Sequence, residues 1–335
     1  MSYILQTMRT HTFVLLTSLI FSHLFIPQFA QQSPELKEAS DLSVSVVRLF
    51  KEGKFDEALP LAKRALEIRQ RLLPPNDPEV LTALGNLGNL YNAKSDYNAA
   101  KKSFERLLPM QEQQFGATNV QLASTLDRLA VLYYRERNVG KAEDMYQRAL
   151  ALRENAFGND HVEFANSLFA LAHLYRLSSK YDLALNAYRR SLSIYSRRSG
   201  WNDPAYERAR TGMSCLAYET RNDAIFAELK TIHEQFAPST DFLQVMDILN
   251  GKALSLPKPE YPRDARAVGL SGTVVVKVEI DEKGKVLSAK DICQGPPFLT
   301  GASIDAARNA RFSPTLLNGQ PIKVTGVIRY NFIPR

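Results

Sequence analysis

The chain has 335 residues, 45% hydrophobic and 23% charged, an ordinary globular balance that excludes bulk disorder and makes two or more domains the starting expectation. The formal charge is +7, and residues 247–335 hold 13 Lys/Arg against 8 Asp/Glu. The basic residues are dispersed and no nucleic-acid module is recognisable, so the charge reads as a solvated surface with some preference for acidic partners or anionic membrane, and nucleic acid is excluded as a partner.

Residues 1–30 read as a targeting segment. Residues 13–26 are apolar apart from Thr17, Ser18, Ser22 and His23, with Arg9 ahead of them and Met8 as a second candidate start. A spanning helix needs about 20 apolar residues, so this run is short for a membrane span. The layout is that of a secretory signal cut after Ala30, leaving Gln31 first. Gln28, at the −3 position, is larger than such sites favour, so an uncleaved inner-membrane anchor is the competing reading. Either way, the rest of the chain leaves the cytosol. No cysteine follows the apolar run that could carry a lipid.

Residues 31–236 repeat every 42 residues. Tyr91, Tyr133 and Tyr175 keep that interval, as do Ala58, Ala100, Ala142 and Ala184. So do Leu66, Leu108, Leu150 and Leu192, and then Gly116, Gly158 and Gly200. Self-similarity at such a period means stacked supersecondary units. Each unit predicts two helices. Leu126, Leu129, Ala130, Leu132 and Tyr133 mark the buried face of a first helix, and Ala142, Tyr146, Ala149 and Leu150 that of a second. Phe115-Gly116 and Phe157-Gly158 predict left-handed glycine caps. Asn76-Asp77-Pro78 and Asn202-Asp203-Pro204 predict capped helix starts. The unit at Leu49, Phe55 and Ala58 precedes the clear ones. The last unit, at Leu216-Ala217, is degraded, as a terminal cap should be.

These positions resemble the tetratricopeptide repeat in its 42-residue kinesin-light-chain form. The resemblance implies an all-α solenoid whose first helices line a concave peptide groove. It makes Asn86, Asn89, Arg128, Asn166, His173 and Arg176, polar residues between the apolar positions of those helices, the candidate groove lining. A solvated face with no partner is the alternative.

Residues 237–256 read as a linker, and segment 249–254 as a leading strand. Pro257, Pro259 and Pro262 then favour extended backbone. Val274, Val276, Val278 and Ile280 alternate with Val275, Lys277 and Glu279, the signature of a strand with one apolar face. Glu282-Lys283-Gly284 predicts a turn and residues 286–292 the returning strand. Ile304, Ala307 and Ala310 give residues 298–311 helical spacing. Residues 322–332 form the closing strand, with Val324, Gly326, Ile328, Tyr330 and Phe332 on one face.

Residues 257–335 resemble the TonB C-terminal domain family. The matches are Tyr261-Pro262, Gly269-Leu270-Ser271-Gly272, the run from Asp281 to Val286, Ala310-Arg311-Phe312-Ser313-Pro314 and the ending Tyr330-Asn331-Phe332. The resemblance implies a small α+β domain in the periplasm. There it would engage outer-membrane receptors or other envelope proteins by pairing a peptide with the edge of its terminal strand. Tyr261 and the positions Ile322, Val324, Gly326, Ile328, Tyr330 and Phe332 are the candidates for that contact. Cover of this edge by a second copy, in a homodimer, or by the repeats is the alternative.

Cys215 and Cys293 are the only cysteines, and they fall in different expected domains. A disulfide framework is excluded by count. Two separately buried thiols are the expected state, with a single interdomain bridge as the alternative. The chain has no phosphate-cradling glycine loop, zinc-spaced histidine pair or Cys-x-x-Cys. We therefore expect no cofactor, no metal and no enzymatic activity. The expected function is a periplasmic adaptor joining two proteins. The alternative is a membrane-anchored, TonB-like transducer for outer-membrane uptake.

Overall fold

The computed structural model describes residues 33–236, 252–267, 269–293 and 295–333. The expected targeting segment and most of the expected linker lie outside these residues. Ten α-helices form the first part: α1 (Pro34–Lys51), α2 (Phe55–Leu72), α3 (Pro78–Ala93), α4 (Tyr97–Phe115), α5 (Ala123–Arg135), α6 (Val139–Phe157), α7 (Val162–Leu177), α8 (Tyr181–Arg198), α9 (Pro204–Thr220) and α10 (Asp223–Phe236). A single 3-10 turn, Val120–Leu122, leads into α5. Helix starts recur at the sequence period. Second helices begin at Phe55, Tyr97, Val139 and Tyr181, and α10 keeps that register at Asp223 despite its degraded sequence.

The helices are stacked by the small and apolar positions of the repeat. Ala58, Ala100, Ala142 and Ala184 are all fully buried, so successive helices approach closely there. Leu126, Leu129, Leu168, Leu171, Tyr188 and Leu192 fill the space beside them. Each fully buried leucine or aromatic removes enough apolar surface to contribute about 1.5–3 kcal/mol. One further register ties units together. Arg69, Arg153 and Tyr195 share a position on the second helices and reach first helices. Arg69 donates to Glu79 (3.0 Å) and Ser43 (2.9 Å), Arg153 to Ser167 (2.5 Å) and Asp127 (2.6 Å), and Tyr195 to Asn166 (2.7 Å).

The caps depart from expectation in one respect. Asp77 and Asp203 accept backbone N–H bonds from Glu79 and Ala205, as read from the sequence. Gly116 and Gly158, however, combine positive φ (88° and 82°) with extended ψ (149° and 170°), so they break the helix outright where a left-handed cap was expected. The left-handed residues sit elsewhere, in the tight turn inside each pair: Gly53, Ser95, Arg137, Ser179 and Arg221, each 42 residues from the next. A side chain in that conformation costs roughly 1 kcal/mol, and only the first position carries glycine. Arg137→Gly is accordingly expected to raise the stability of the array by about 0.5–1 kcal/mol, read as a higher urea midpoint with unchanged slope.

The second part begins at β1 (Ala253–Ser255), at the end of the segment read as a leading strand. It continues through α11 (Arg263–Ala267), β2 (Gly272–Ile280), β3 (Val286–Asp291), α12 (Pro297–Arg308), β4 (Arg311–Phe312), β5 (Thr315–Leu317), β6 (Gln320–Ile322) and β7 (Val324–Phe332). The main sheet is antiparallel, in the order β3-β2-β7. β1 pairs with β4, and β5 with β6. The sequence reading merged β6 and β7 into one strand. The structure separates them, because Asn318 and Gly319 take positive φ and fold β5 and β6 into their own hairpin.

The core of this part lies between the sheet and α11 and α12. Val274, Val276, Val278 and Ile280 of β2 meet Leu299 and Ala307 of α12 and Ile328, Tyr330 and Phe332 of β7. The β2–β3 turn is held by Asp281, whose carboxylate accepts N–H bonds from Lys283 (3.0 Å) and Lys285 (2.7 Å). The bond from the Lys285 backbone, the largest influence, holds that carboxyl below its ordinary range. Among the described residues, no helix is long and apolar enough to cross a membrane.

Candidate interaction surfaces

Two surfaces follow from this architecture: the free face of the first helices and the outer border of the sheet. On the first helices, residues 42 apart occupy equivalent places. Asn86 and Arg128 share one such position; Asn89, Val131, His173 and Cys215 share another; Arg176 and Tyr218 share a third. Arg128 is exposed, and Asn86, Asn89 and His173 are partly buried. Asn89 Oδ1 is buried and meets no protein donor. Burial first, and the neighbouring Arg176 charge second, lower the His173 pKa to about 4, so this imidazole is neutral at ordinary pH. Asn166 is committed elsewhere, as acceptor for the Tyr195 hydroxyl.

Arg176 does not line an open groove, contrary to expectation. Its guanidinium is buried, pairs with Glu219 of α9 and donates to the Cys293 carbonyl (3.0 Å). Burial raises the Glu219 pKa against the pull of Arg176. The reason is the placement of the C-terminal domain. It sits on the last part of the first-helix face, at the positions of Cys215 and Tyr218. Cys215, Val275 and Cys293 form one buried cluster, with Tyr218, Ile292 and Val327 packed around it. Arg329 donates to the Tyr218 carbonyl (2.9 Å). The two cysteines are not separate thiols, as the sequence reading favoured, but bonded to each other across this joint. In the same registers, towards the N-terminus, Val131 and Val47 remain exposed.

β7 is an edge strand. The Ile292 N–H donates to the Val275 carbonyl (3.1 Å), so Val275 and, by alternation, Lys277 and Glu279 spend their backbone groups on β3. Val274, Val276, Val278 and Ile280 must then bond β7 through their partners Tyr330, Ile328, Gly326 and Val324. Thr325, Val327, Arg329 and Asn331 are left with N–H and C=O directed away from the sheet. This corrects the candidate list. Gly326, Ile328, Tyr330 and Phe332 are buried, Val324 packs onto the same core, and their backbone groups face β2. Ile322 belongs to β6, where it pairs with Thr315. Tyr261 is partly buried and already engaged: its hydroxyl donates to the Leu270 carbonyl (2.5 Å) and its ring meets Phe332 edge-on at 5.5 Å. The two-residue alternation identified the strand and its apolar face, but the apolar face of an edge strand is its core face. The residues opposite supply the border.

Among the described residues, no group of three or more His, Cys, Asp or Glu side chains is placed to hold a metal ion. What the fold defines is a helical-repeat scaffold carrying a small open-edged sheet. Residues 48–113 and 121–197 match the tetratricopeptide repeat family, and residues 257–334 match the C-terminal domain of the Gram-negative bacterial TonB protein. The chain thus carries a stretch that matches tetratricopeptide repeats, followed by one that matches a TonB C-terminal domain. The array is similar in fold to nearly identical TPR-like repeats from a putative kinesin light chain of Podosopora anserina (15% identity, 61% of this chain, 98% of that one, TM-score 0.51). It is equally similar to BtubC (BKLC) from P. vanneervenii (21% identity, 64% and 93%, TM-score 0.51). Over 66 residues the chain is 32% identical to Protein TonB of Vibrio cholerae, a stretch that is 19% of this chain and 27% of that protein. The chain therefore spans little more than a quarter of that relative's length.

Proposed function

We propose that the chain is a non-enzymatic adaptor of the periplasm, in which the β7 border takes one envelope protein by strand addition and the first-helix face of the array takes another. The observation that carries this reading is the outward backbone of Thr325, Val327, Arg329 and Asn331, offered on a strand whose opposite edge is fixed to β2. Unpaired N–H and C=O groups on a sheet border accept an extended peptide without any reactive chemistry. Each net bond contributes about 0.5–1.5 kcal/mol, so a short added strand binds at roughly micromolar strength after ordering costs. Two such contacts on one chain hold their partners together by raising effective concentration. The similarity to Protein TonB supports an outer-membrane receptor as the strand donor. On the array, Asn86, Asn89, Arg128 and His173 remain the lining to test.

Thr325→Pro tests the border selectively. Proline removes one outward N–H and leaves the β2 ladder untouched, a substitution that edge strands tolerate. An outer-membrane receptor captured by immobilised wild-type chain should be lost or held several-fold more weakly by the variant, at nearly unchanged melting temperature. Equal capture by both would exclude β7 as the docking edge. The N-terminus of the exported protein separates the adaptor from a membrane-anchored transducer: Gln31 as first residue leaves no anchor through which force can be passed.

A further inference from the structure

We infer that the Cys215–Cys293 bond is a redox-operated latch, holding the C-terminal domain on the first-helix face of the array and releasing it when a dithiol reduces the bond. The inference does not depend on which partner the β7 border takes.

The bond joins two separately built cores. Cys215 lies on α9, in the register of His173, Val131 and Asn89, and Cys293 lies just past β3. Apart from the bond, the joint is slight. Among the described residues it includes the apolar contact of Val275, Ile292 and Val327 with Cys215 and Tyr218, and the guanidinium–carbonyl bonds of Arg176 and Arg329. Stable interfaces engage roughly 20–30 residues a side, whereas here the close approach of the two parts is chiefly that of α9 to β2. The covalent link therefore decides whether the domain stays. Without it, Tyr218 and the Cys215 position on one side, and Val275 and Val327 on the other, become uncovered, on the face that also carries partly buried His173 and exposed Val131. The occupant that fits this end of the face is the chain's own sheet, and its departure opens the full length of the face to an extended partner segment.

The chemistry is ordinary thiol–disulfide exchange. One thiolate of the dithiol attacks a sulfur of the bond, and the other cysteine leaves as a thiolate and takes a proton. The second thiol of the reductant then resolves the mixed disulfide. Two cysteine thiols and one oxidised dithiol result, with two electrons transferred. Both cysteines are about 2% exposed or less, so no thiolate reaches them until the joint opens locally. Arg176 and Arg329 thereby set how readily the latch is released.

The test uses the full chain, oxidised or treated with dithiothreitol under anaerobic conditions. Thiol titration should count none and then two per chain. Reduction should enlarge the radius of gyration measured by X-ray scattering and change the pattern of limited proteolysis, with helical circular dichroism unchanged. The double variant C215A/C293A should behave like the reduced chain without treatment. Arg329→Ala should speed reduction roughly tenfold by easing local opening. Two titrated thiols with unchanged dimensions and protease pattern would overturn the latch, and so would free thiols in protein purified from an oxidising compartment. An unchanged reduction rate in the Arg329 variant would overturn the gating by that residue.

Discussion

Gly284→Ala is expected to destabilise the C-terminal domain strongly and leave the helical array standing. Gly284 ends the β2–β3 turn at φ 82°, where an L side chain is strained. Space is the larger obstacle. A Cβ built there would lie 1.8 Å from the Phe312 carbonyl oxygen, which is backbone and cannot swing aside. The same contact is structural, because the Phe312 N–H donates to the Gly284 carbonyl (2.9 Å) and Lys285 bridges to Arg311. Relief of the clash separates the turn from β4, and β4 is what pairs with β1. Left-handed strain of about 1 kcal/mol and overpacking of about 1–3 kcal/mol or more add to a loss near 3 kcal/mol or above. A domain of this size has a stability of only about 5–10 kcal/mol. Thermal unfolding should split into two transitions, an early one for the sheet and an unmoved one in helical circular dichroism. A single unshifted transition would show that the turn accommodates a side chain.

Arg176→Met should destabilise the protein by about 2–4 kcal/mol, because it leaves partly buried Glu219 without its counter-charge and the Cys293 carbonyl without its donor. The pH dependence identifies the cause. A carboxylate whose folded pKa is raised stabilises the fold below its unfolded pKa and loses that contribution as pH rises through the folded value. Glu219 is already shifted upward by burial while Arg176 opposes the shift. Removing Arg176 raises it further. The variant should therefore be close to wild type near pH 4 and increasingly weaker towards neutrality. Adding Glu219→Gln should restore most of the loss at pH 7. A pH-independent loss would mean that packing, not the stranded charge, is responsible.

The helical array was legible because its period was carried by several residue types at once. Tyrosine, alanine, leucine and glycine each marked 42 residues, and the helix starts fall on that interval. The left-handed turn register was not legible, because Ser95, Arg137, Ser179 and Arg221 share a conformation without sharing a chemistry. The apolar face of β2 and the position of its turn were equally plain. The border of β7 was misassigned through the assumption that a strand's most apolar residues are those it presents to a partner. The disulfide was weighed as the alternative and ranked second, because the two cysteines fall in different expected domains. Counted along the repeat, Cys215 occupies the place of His173, on a face where a residue either meets solvent or meets something else. Arg176 was likewise read as lining, since nothing local distinguishes a cation at an open groove from one sealed by a second domain.

The strand that closes the sheet also touches the array. Val327 and Arg329 turn their main-chain groups towards any incoming peptide and their side chains towards α9. On the proposed reading, recognition and anchorage thus share the same few ångströms of chain. A guest that twists or tugs this strand transmits the load straight into the seam between the two halves. Tension applied at the rim is borne by a covalent rivet two strands away.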